Sequence, residues 1–148
     1  MISPQLMEKL SKTGKAVIVD PKPAHISYYN GIFLIKPNSK EVKEMTGVMD
    51  DAEAGRKLAQ KLKTNVLLTR GEHGTVYFGL NGEKYEFPGE AKEVFDVTGA
   101  GDSTIAAFAH FYARGFPIRE CARLANKAGG ISVGHTGCYC VREDELLG

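Results

Sequence analysis

The chain has 148 residues, a length that ordinarily forms one domain and is too short for two full ones. It carries 19 Lys and Arg against 18 Asp and Glu, a formal net charge of +1, so it lacks the basic balance expected of a nucleic-acid-binding protein. With 43% hydrophobic and 25% charged residues, its composition is too apolar for a disordered chain.

The sequence has seventeen glycines, and eight of them fall in four short local groups, at 71/74, 99/101, 129/130 and 134/137. Such clusters are typical of backbone that passes close to a ligand, although turns alone would produce the same pattern. The three cysteines and the absence of a charged-then-apolar leader favour a cytoplasmic protein over a disulfide-framed secreted domain. Cys138 and Cys140 lack a second Cys/His pair at structural-zinc spacing, so a zinc site there is disfavoured. All apolar runs are far shorter than a membrane span.

The first half of the chain alternates apolar strands with amphipathic helices. Continuous apolar runs predict parallel strands that are covered on both faces. Asp50 or Asp51 is the expected N-cap of the second of two consecutive helices, and Gly47 ends the first. The predicted strands are 16–19, 32–35 and 66–69, and the predicted helices are 4–12, 39–46 and a segment from about 51.

The second half begins with alternating segments at 74–79 and 83–87, joined around Asn81-Gly82, which predicts a β-hairpin. The segment from Asp102 to Arg114 is apolar nearly all round, which predicts a buried helix. A second helix is predicted from Ile118 to Val133, with small residues that allow a neighbour to pack closely. Alternating strands and helices with a late hairpin predict an α/β layered fold.

The most informative segment is Asp-Val-Thr-Gly-Ala-Gly-Asp at 96–102. Its glycines allow a tight turn with exposed N–H groups, and the following helix adds the positive end of its dipole, so the segment predicts an anion hole for a phosphate. Asp102 could accept a proton from a hydroxyl that attacks this phosphate. It could equally be a helix-start carboxylate that satisfies free N–H groups, because a Gly-x-Gly before a helix is weak evidence by itself.

This segment, followed by a small-residue helix, resembles the signature of the ribokinase-like (PfkB) family of carbohydrate kinases. Three further elements agree in order: 36–41 resembles the family's Asn-x-x-Glu element, 69–74 its nucleotide-binding strand and turn, and 125–126 its adenine-side helix. Other segments, at 20–22, 93–96 and 133–137, are most similar to the D-glycero-β-D-manno-heptose 7-phosphate kinase branch. The resemblance runs from about Lys15 to Leu146 and corresponds to the C-terminal half of the family's kinase domain.

The resemblance implies an α/β, three-layer Rossmann-like ribokinase fold, in which residues 1–148 form the C-terminal, nucleotide-binding half. Parallel strands would carry an antiparallel hairpin at the edge. The implied activity is ATP-dependent phosphoryl transfer to a sugar or sugar-phosphate hydroxyl, as in a heptose 7-phosphate kinase. Because the family's other half supplies most sugar contacts, we expect the chain alone to be an incomplete catalyst. We expect it to self-associate or to bind a separate N-terminal half, without nucleic acid or membrane partners.

Individual roles follow by the same resemblance. Asp102 matches the catalytic base that deprotonates the acceptor hydroxyl. The anion hole is matched by Gly99, Ala100 and Gly101, and the segments along ATP by Thr69, Gly71, Gly74 and Asn126. A plain hairpin entry explains the 69–74 turn equally well, and the Asn126 amide could instead satisfy a neighbouring loop.

Asn38 and Glu41 match the pair that holds a hydrated Mg²⁺ near the phosphates, and oxygen ligands suit that ion. The same spacing fits a helix N-cap with a capping-box glutamate. The monovalent-cation loops of some members, which bind K⁺, are weakly matched by Asp96, Thr98, Ser132 and Gly137. His73 and His135 are expected to be exposed turn residues.

Two other functions fit the same residues. One is a non-catalytic adenine-nucleotide-binding or interaction module that has lost the sugar-binding half; a carboxylate at Asp102 argues against it, because a pure binding module does not need a base beside phosphate. The other is a dinucleotide-binding domain. It is disfavoured because the glycine loop lies late in the chain, with no βαβ unit and acidic ribose partner after it.

Overall fold

The structure is a computed structural model that describes residues 2–91 and 93–148. The chain divides into two compact units. The first, here called the strand unit, runs up to Thr69 and also includes Val76–Lys84. The second, here called the helical unit, consists of Arg70–Thr75 and Tyr85–Gly148. In the described part of the chain, no helix is long and apolar enough to cross a membrane.

Five strands form one sheet in the order β1-β2-β3-β4-β5. Their bounds are Ile18–Val19, Leu34–Ile35, Asn65–Thr69, Thr75–Phe78 and Lys84–Phe87. β1 pairs with β2 and β2 with β3 in parallel, with Ile18 opposite Leu34 and Leu34 opposite Asn65. The predicted arrangement of parallel strands with an antiparallel edge is confirmed.

Six α-helices accompany the sheet in the described residues. They are α1 Pro4–Ser11, α2 Ser39–Thr46, α3 Asp51–Leu62, α4 Ala100–Ala113, α5 Ile118–Val133 and α6 Glu143–Leu147. Two 3₁₀ segments lie at Pro23–Tyr29 and Gly71–His73. The predicted helices are confirmed, whereas α6 and both 3₁₀ segments were not predicted. These three short segments contain too few residues for the 3.6-residue repeat of apolar positions to be recognised in the sequence.

The helices of the strand unit start at side-chain caps. Asp50 Oδ1 accepts the N–H of Glu53 at 2.8 Å, so Asp50, not Asp51, is the N-cap of α3. α2 ends at Gly47 with φ +71°, a left-handed conformation that glycine adopts without steric cost. The helix boundaries are thus set by the residues that satisfy the free N–H and C=O groups at each end.

The core of the strand unit lies around β2 and β3 and the apolar sides of α2 and α3. Its fully buried members include Tyr29, Ile35, Val42, Leu58, Val66, Leu68 and Val76. Gly55 of α3 lies against the Phe78 ring, where an added Cβ would overlap ring atoms. Burying side chains of this size stabilises the fold by about 1.5–3 kcal/mol each.

The strand predictions need two corrections. β1 and β2 contain two residues each instead of four, and Ile18 and Val19 are only half-buried. β1 stands at the end of the sheet, so it lacks the cover that both faces of a central strand receive. β4, expected to alternate, is buried at all four positions. The hairpin itself is confirmed: Gly79 N–H donates to Glu83 O at 2.7 Å.

In the helical unit, α4 and α5 pack against each other at small residues, as the sequence predicted. A Cβ added at Gly129 would lie 2.6 Å from Thr104 Oγ1. The expectation that α4 is buried all round is wrong. Asp102, Ala106 and His110 lie on an exposed stripe of the helix, because positions four apart share one face. The apolar composition of α4 therefore predicts more burial than the helix has. Ala106, in the middle of the exposed stripe, is small enough to be either buried or exposed.

Candidate functional site

The loop before α4 has the geometry of an anion-binding turn. Gly99 is the N-cap of α4 with φ +78°, and no side chain caps the helix. Asp102 is exposed in the first turn and makes no hydrogen bond within the described residues. The helix-capping alternative for Asp102 therefore finds no support. The Gly99 and Gly101 N–H groups have no acceptor among the described residues, whereas the Ala100 N–H donates to Val97 O at 3.3 Å. The loop therefore presents two free N–H groups and the positive end of a helix dipole beside an available carboxylate.

Asp96 joins this loop to the loop that follows α5. Its Oδ1 accepts the N–H of Thr98 at 2.9 Å, and its Oδ2 accepts the N–H of Gly137 at 3.0 Å. Hydrogen bonds from the Thr98 side chain, the Thr98 backbone and the Gly137 backbone lower the pKa of Asp96. The Val133 carbonyl accepts the Phe95 N–H at 2.8 Å on the same side. These bonds fix the backbone that leads into the glycine turn.

Ser132 is fully buried, and its Oγ has no hydrogen-bond partner among the described residues. An orphaned hydroxyl oxygen of this kind is costly unless something else satisfies it. Of the four residues predicted to hold a monovalent cation, Asp96, Thr98 and Gly137 are joined directly by hydrogen bonds. The fourth, Ser132, supplies the unsatisfied oxygen.

A cleft of about 400 Å³ runs along the exposed stripe of α4. Asp102, Ala106 and His110 line it on one side, and Tyr139 and Glu143 line it on the other. Glu143 is held by hydrogen bonds from Arg114 and His110, and the Arg114 bond is the main cause of the lowered pKa of Glu143. No sequence pattern predicted this cleft, because α6, which carries Glu143, was not predicted.

The glycines of the 69–74 turn differ in what surrounds them. A Cβ at Gly74, which has φ +81°, would overlap Phe87 O, so close packing of two chain segments requires this glycine. Gly71 has φ +57° and open space where a Cβ would lie. Thr69, in the strand unit, donates its N–H to Pro37 O at 3.0 Å. Hairpin packing thus explains Gly74, whereas Gly71 leaves room beside its backbone.

Asn126 is 5% exposed within α5. Its Nδ2 donates to Pro88 O at 2.9 Å and lies 3.4 Å from Glu90 Oε1. The amide therefore satisfies a neighbouring loop, which was one of the two alternatives for this residue. His73 and His135 are exposed, as expected.

Asn38 and Glu41 form a complete capping box at the start of α2. Asn38 Oδ1 accepts the Glu41 N–H and Glu41 Oε2 accepts the Asn38 N–H, both at 2.9 Å. Asn38 also forms a parallel bridge with Thr69 at the carboxyl end of β3. Within the described residues, no group of three or more His, Cys, Asp or Glu side chains converges to hold a metal directly.

Parallel strands with an antiparallel edge, accompanied by helices, define an α/β protein. Ribokinase from Arabidopsis thaliana, solved with ribose and ATP, superposes with a TM-score of 0.80 at 29% identity, over 91% of this chain and 46% of that chain. The family model described as pfkB family carbohydrate kinase matches residues 5–144. The chain belongs to the pfkB family of carbohydrate kinases.

Curated relatives include two proteins named Bifunctional protein HldE. The one from Paramagnetospirillum magneticum is 39% identical over 99% of this chain and 31% of its own length. The one from Methylococcus capsulatus is 41% identical over 91% of this chain and 30% of its own length. The chain thus spans about a third of the length of these relatives and about half of the ribokinase chain.

Proposed function

We propose that this chain supplies the nucleotide-binding and catalytic part of an ATP-dependent sugar kinase. The acceptor would be a sugar phosphate of the heptose 7-phosphate type, in line with the similarity to the HldE proteins. The observation that carries the proposal is the unbonded carboxylate of Asp102 in the first turn of α4, directly after an uncapped glycine turn. Pfkb-family membership supports the same reaction class.

Phosphoryl transfer depends mainly on positioning and on stabilisation of charge. The backbone N–H groups of Gly99, Ala100 and Gly101 stabilise negative charge on the transferring phosphoryl group. Asp102 accepts the proton of the attacking sugar hydroxyl as the new O–P bond forms. Because its carboxylate makes no competing hydrogen bond in the described residues, the base is available for that proton.

Asn38 and Glu41 suit a hydrated Mg²⁺, because amide and carboxylate oxygens are the ligands this ion prefers. Mg²⁺ supplies charge neutralisation for the nucleotide phosphates. Both residues already bond to backbone in the capping box, so they would hold the ion through its water shell. K⁺ fits between the Asp96 loop and the last turn of α5, where the buried Ser132 Oγ has no hydrogen-bond partner among the described residues.

The remaining nucleotide contacts are assigned by position. Thr69 and Gly71 provide backbone that approaches ATP, and Gly71 has open space beside it, whereas Gly74 lets the turn pack closely against Phe87. Asn126 acts through the 88–90 loop that its amide holds.

The half-buried strand β1, at the end of the sheet, presents an edge that would pair with a second copy or with a separate N-terminal, sugar-binding half. Free cysteines and a requirement for ATP favour a cytoplasmic location.

The test is Asp102→Asn, assayed with the sugar-binding segment of an HldE relative supplied by fusion. Since general-base catalysis typically contributes about 10²–10⁴-fold, kcat should fall by about that factor. Affinity for Mg-ADP, measured on the unfused chain, should be kept or should rise, because a negative charge beside phosphate is removed. Near-normal kcat in the variant would contradict the proposal and leave a non-catalytic nucleotide-binding module as the interpretation.

A further inference from the structure

The segment after α5 carries two of the three cysteines of the chain, Cys138 and Cys140, with one residue between them. Both are free and exposed, whereas Cys121 is fully buried in α5. Burial raises the pKa of the Cys121 thiol to about 11, and its Sγ donates to Phe116 O at 3.4 Å. Because exposed thiols react and buried ones are inert, the thiol chemistry of this chain lies in the exposed pair.

The spacing of the two exposed thiols permits a bond between them. Residues two positions apart have Cα atoms at most about 7 Å apart, and disulfides join residues whose Cα atoms are about 4.4–6.8 Å apart. Residues 138–141 belong to no helix or strand, and they make no backbone–backbone hydrogen bond in the described part of the chain. The segment can therefore close the bridge without breaking secondary structure.

The thiol pair borders the glycine turn within the helical unit. A Cβ built on Gly99 would lie 3.4 Å from Cys138 Sγ and 3.7 Å from Cys138 Cα. Cys140 lines the cleft along α4. Gly137, directly before the pair, donates its N–H to Asp96 Oδ2 at 3.0 Å. A change of backbone shape at the pair would therefore reach the turn through Gly99 and through Asp96.

Tyr139, between the two thiols, keeps this segment in place. Its ring stacks on the His135 ring with 3.6 Å between the centroids, and its hydroxyl donates to Glu145 Oε1 at 3.0 Å. The segment is thus held at its middle residue. Both thiols stay beside α4, so a bond between them acts on the neighbouring turn.

We propose that Cys138 and Cys140 form a redox dithiol, which glutathione disulfide oxidises to an intramolecular disulfide, and that this bond reshapes the glycine turn. One cysteine thiolate attacks a sulfur of glutathione disulfide, whose S–S bond breaks and releases one glutathione thiol. The other cysteine attacks the mixed disulfide and releases the second. The dithiol loses two electrons and two protons, which the two released thiols carry away. Disulfides of reducing compartments are transient and serve catalysis or redox sensing.

The first experiment maps the bond by mass spectrometry. The native chain is treated with glutathione disulfide, unfolded, and alkylated at its remaining thiols. Trypsin cuts after Lys127 and after Arg142, so the pair lies on the 128–142 peptide and Cys121 lies on another. The 128–142 peptide should lose two hydrogens and take up no alkyl group, whereas the Cys121 peptide should be alkylated.

Cys138→Ser and Cys140→Ser, which each remove one partner, should stop at the mixed disulfide with glutathione. A wild-type pair that stays reduced, or that also stops at the mixed disulfide, would overturn the inference.

A second measurement tests the coupling to the turn without nucleotide. The amide NMR signals of Gly99 and Gly101 should shift when the isotope-labelled chain is oxidised and should return with dithiothreitol. The double variant Cys138→Ser, Cys140→Ser should not respond to either reagent. Cys121→Ser, the matched buried control, should respond as wild type does. Unchanged glycine signals in the oxidised wild-type chain would overturn the coupling.

The effect on nucleotide rests on the proposed function. Oxidation should weaken Mg-ADP binding by about 3- to 10-fold in calorimetry, since a displaced backbone N–H loses about one hydrogen bond to phosphate. The double serine variant should bind with the same Kd before and after treatment. Equal Kd values for reduced and oxidised wild type would overturn the effect on binding. A folded chain that binds no nucleotide in either state would overturn the proposed function alone, because the disulfide and the NMR shifts are measured without nucleotide.

Discussion

Asp96 is the residue on which the geometry of the glycine turn most depends. Its two carboxylate oxygens accept N–H groups from Thr98 and from Gly137, which lies 41 positions further along the chain. One side chain therefore holds together the loops before α4 and after α5. Each oxygen accepts one of these two N–H groups. An asparagine at position 96 has only one side-chain oxygen, so its amide nitrogen would face the other N–H donor.

The ionisation of Asp96 predicts how this junction responds to acid. The pKa of Asp96 is lowered from 3.8, first by the Thr98 side chain and then by the Thr98 and Gly137 backbone. A carboxyl whose folded pKa is lowered contributes stability above its unfolded pKa, and that contribution is lost as the pH falls through the folded pKa. Wild type should therefore melt at a higher temperature than Asp96→Asn at pH 7.

The difference in Tm between wild type and Asp96→Asn should shrink as the pH falls below 3.8, measured by circular dichroism between pH 7 and pH 2. Asp144→Asn is the control, because this exposed carboxylate contacts its near neighbour Arg142. A Tm difference for Asp96→Asn that stays constant to pH 2 would show that the charge does not hold the loops.

Residue roles were predictable from the sequence where the pattern is local. The spacing of Asn38 and Glu41 predicted the capping box, and the glycine signature predicted the turn before Asp102. The burial of Lys36, whose Nζ lies 3.3 Å from Asp20 Oδ1, was not predicted, because lysines are ordinarily exposed. Its partner Asp20 lies 16 positions away in the sequence, and the parallel register of β1 and β2 brings the two together.

At the scale of elements, the contact between α4 and α5 positions the first turn of the proposed catalytic helix. Thr104 Oγ1 donates to Ala100 O at 2.8 Å and faces Gly129 across the contact. A side chain at position 129 would press on this hydroxyl. The small-residue surface of α5 thus keeps α4 close and fixes where its N-terminus begins.

Gly129→Ala tests this contact. The added Cβ would lie 2.6 Å from Thr104 Oγ1, and overpacking of this kind costs about 1–3 kcal/mol, which outweighs the gain of about 1 kcal/mol from replacing a helical glycine. Chemical denaturation should show a lower free energy of unfolding. Gly130→Ala is the matched control, because its Cβ would meet neighbours at 3.4 Å. If both variants were stabilised alike, the α4–α5 contact would not be tight at Gly129.

Long periodic elements were predicted well, and short ones were not. The bounds of α5, Ile118–Val133, agree with the prediction because one apolar face runs the length of the helix. The predicted strands β1 and β2 were too long, because backbone hydrogen bonds between strands, and not apolar side chains, define where a strand ends. α6 has five residues, and its contacts with Arg114 and His110 come from positions about thirty residues earlier, which no local pattern shows.

At the scale of the whole molecule, the chain contains two compact units and spans 31% of the length of a curated relative. The four motifs, in the family's order along the sequence, predicted the family and the fold, because each motif is independent evidence for the same family. It did not predict how Asn126 is used or that a cleft borders Asp102. Those features depend on tertiary contacts to the 88–90 loop and to α6.

We expect the turn at Gly99–Gly101 to bind the phosphates of ATP, and calorimetric titration with Mg-ATP tests this directly. The folded wild-type chain should bind saturably at one site. Gly101→Val should weaken binding by at least about tenfold, because its side chain blocks the approach of phosphate to the backbone N–H groups. Ala113→Val, the same kind of change at the exposed far end of α4, should bind as wild type does. No saturable binding by folded wild type, or equal affinity in Gly101→Val, would contradict the account.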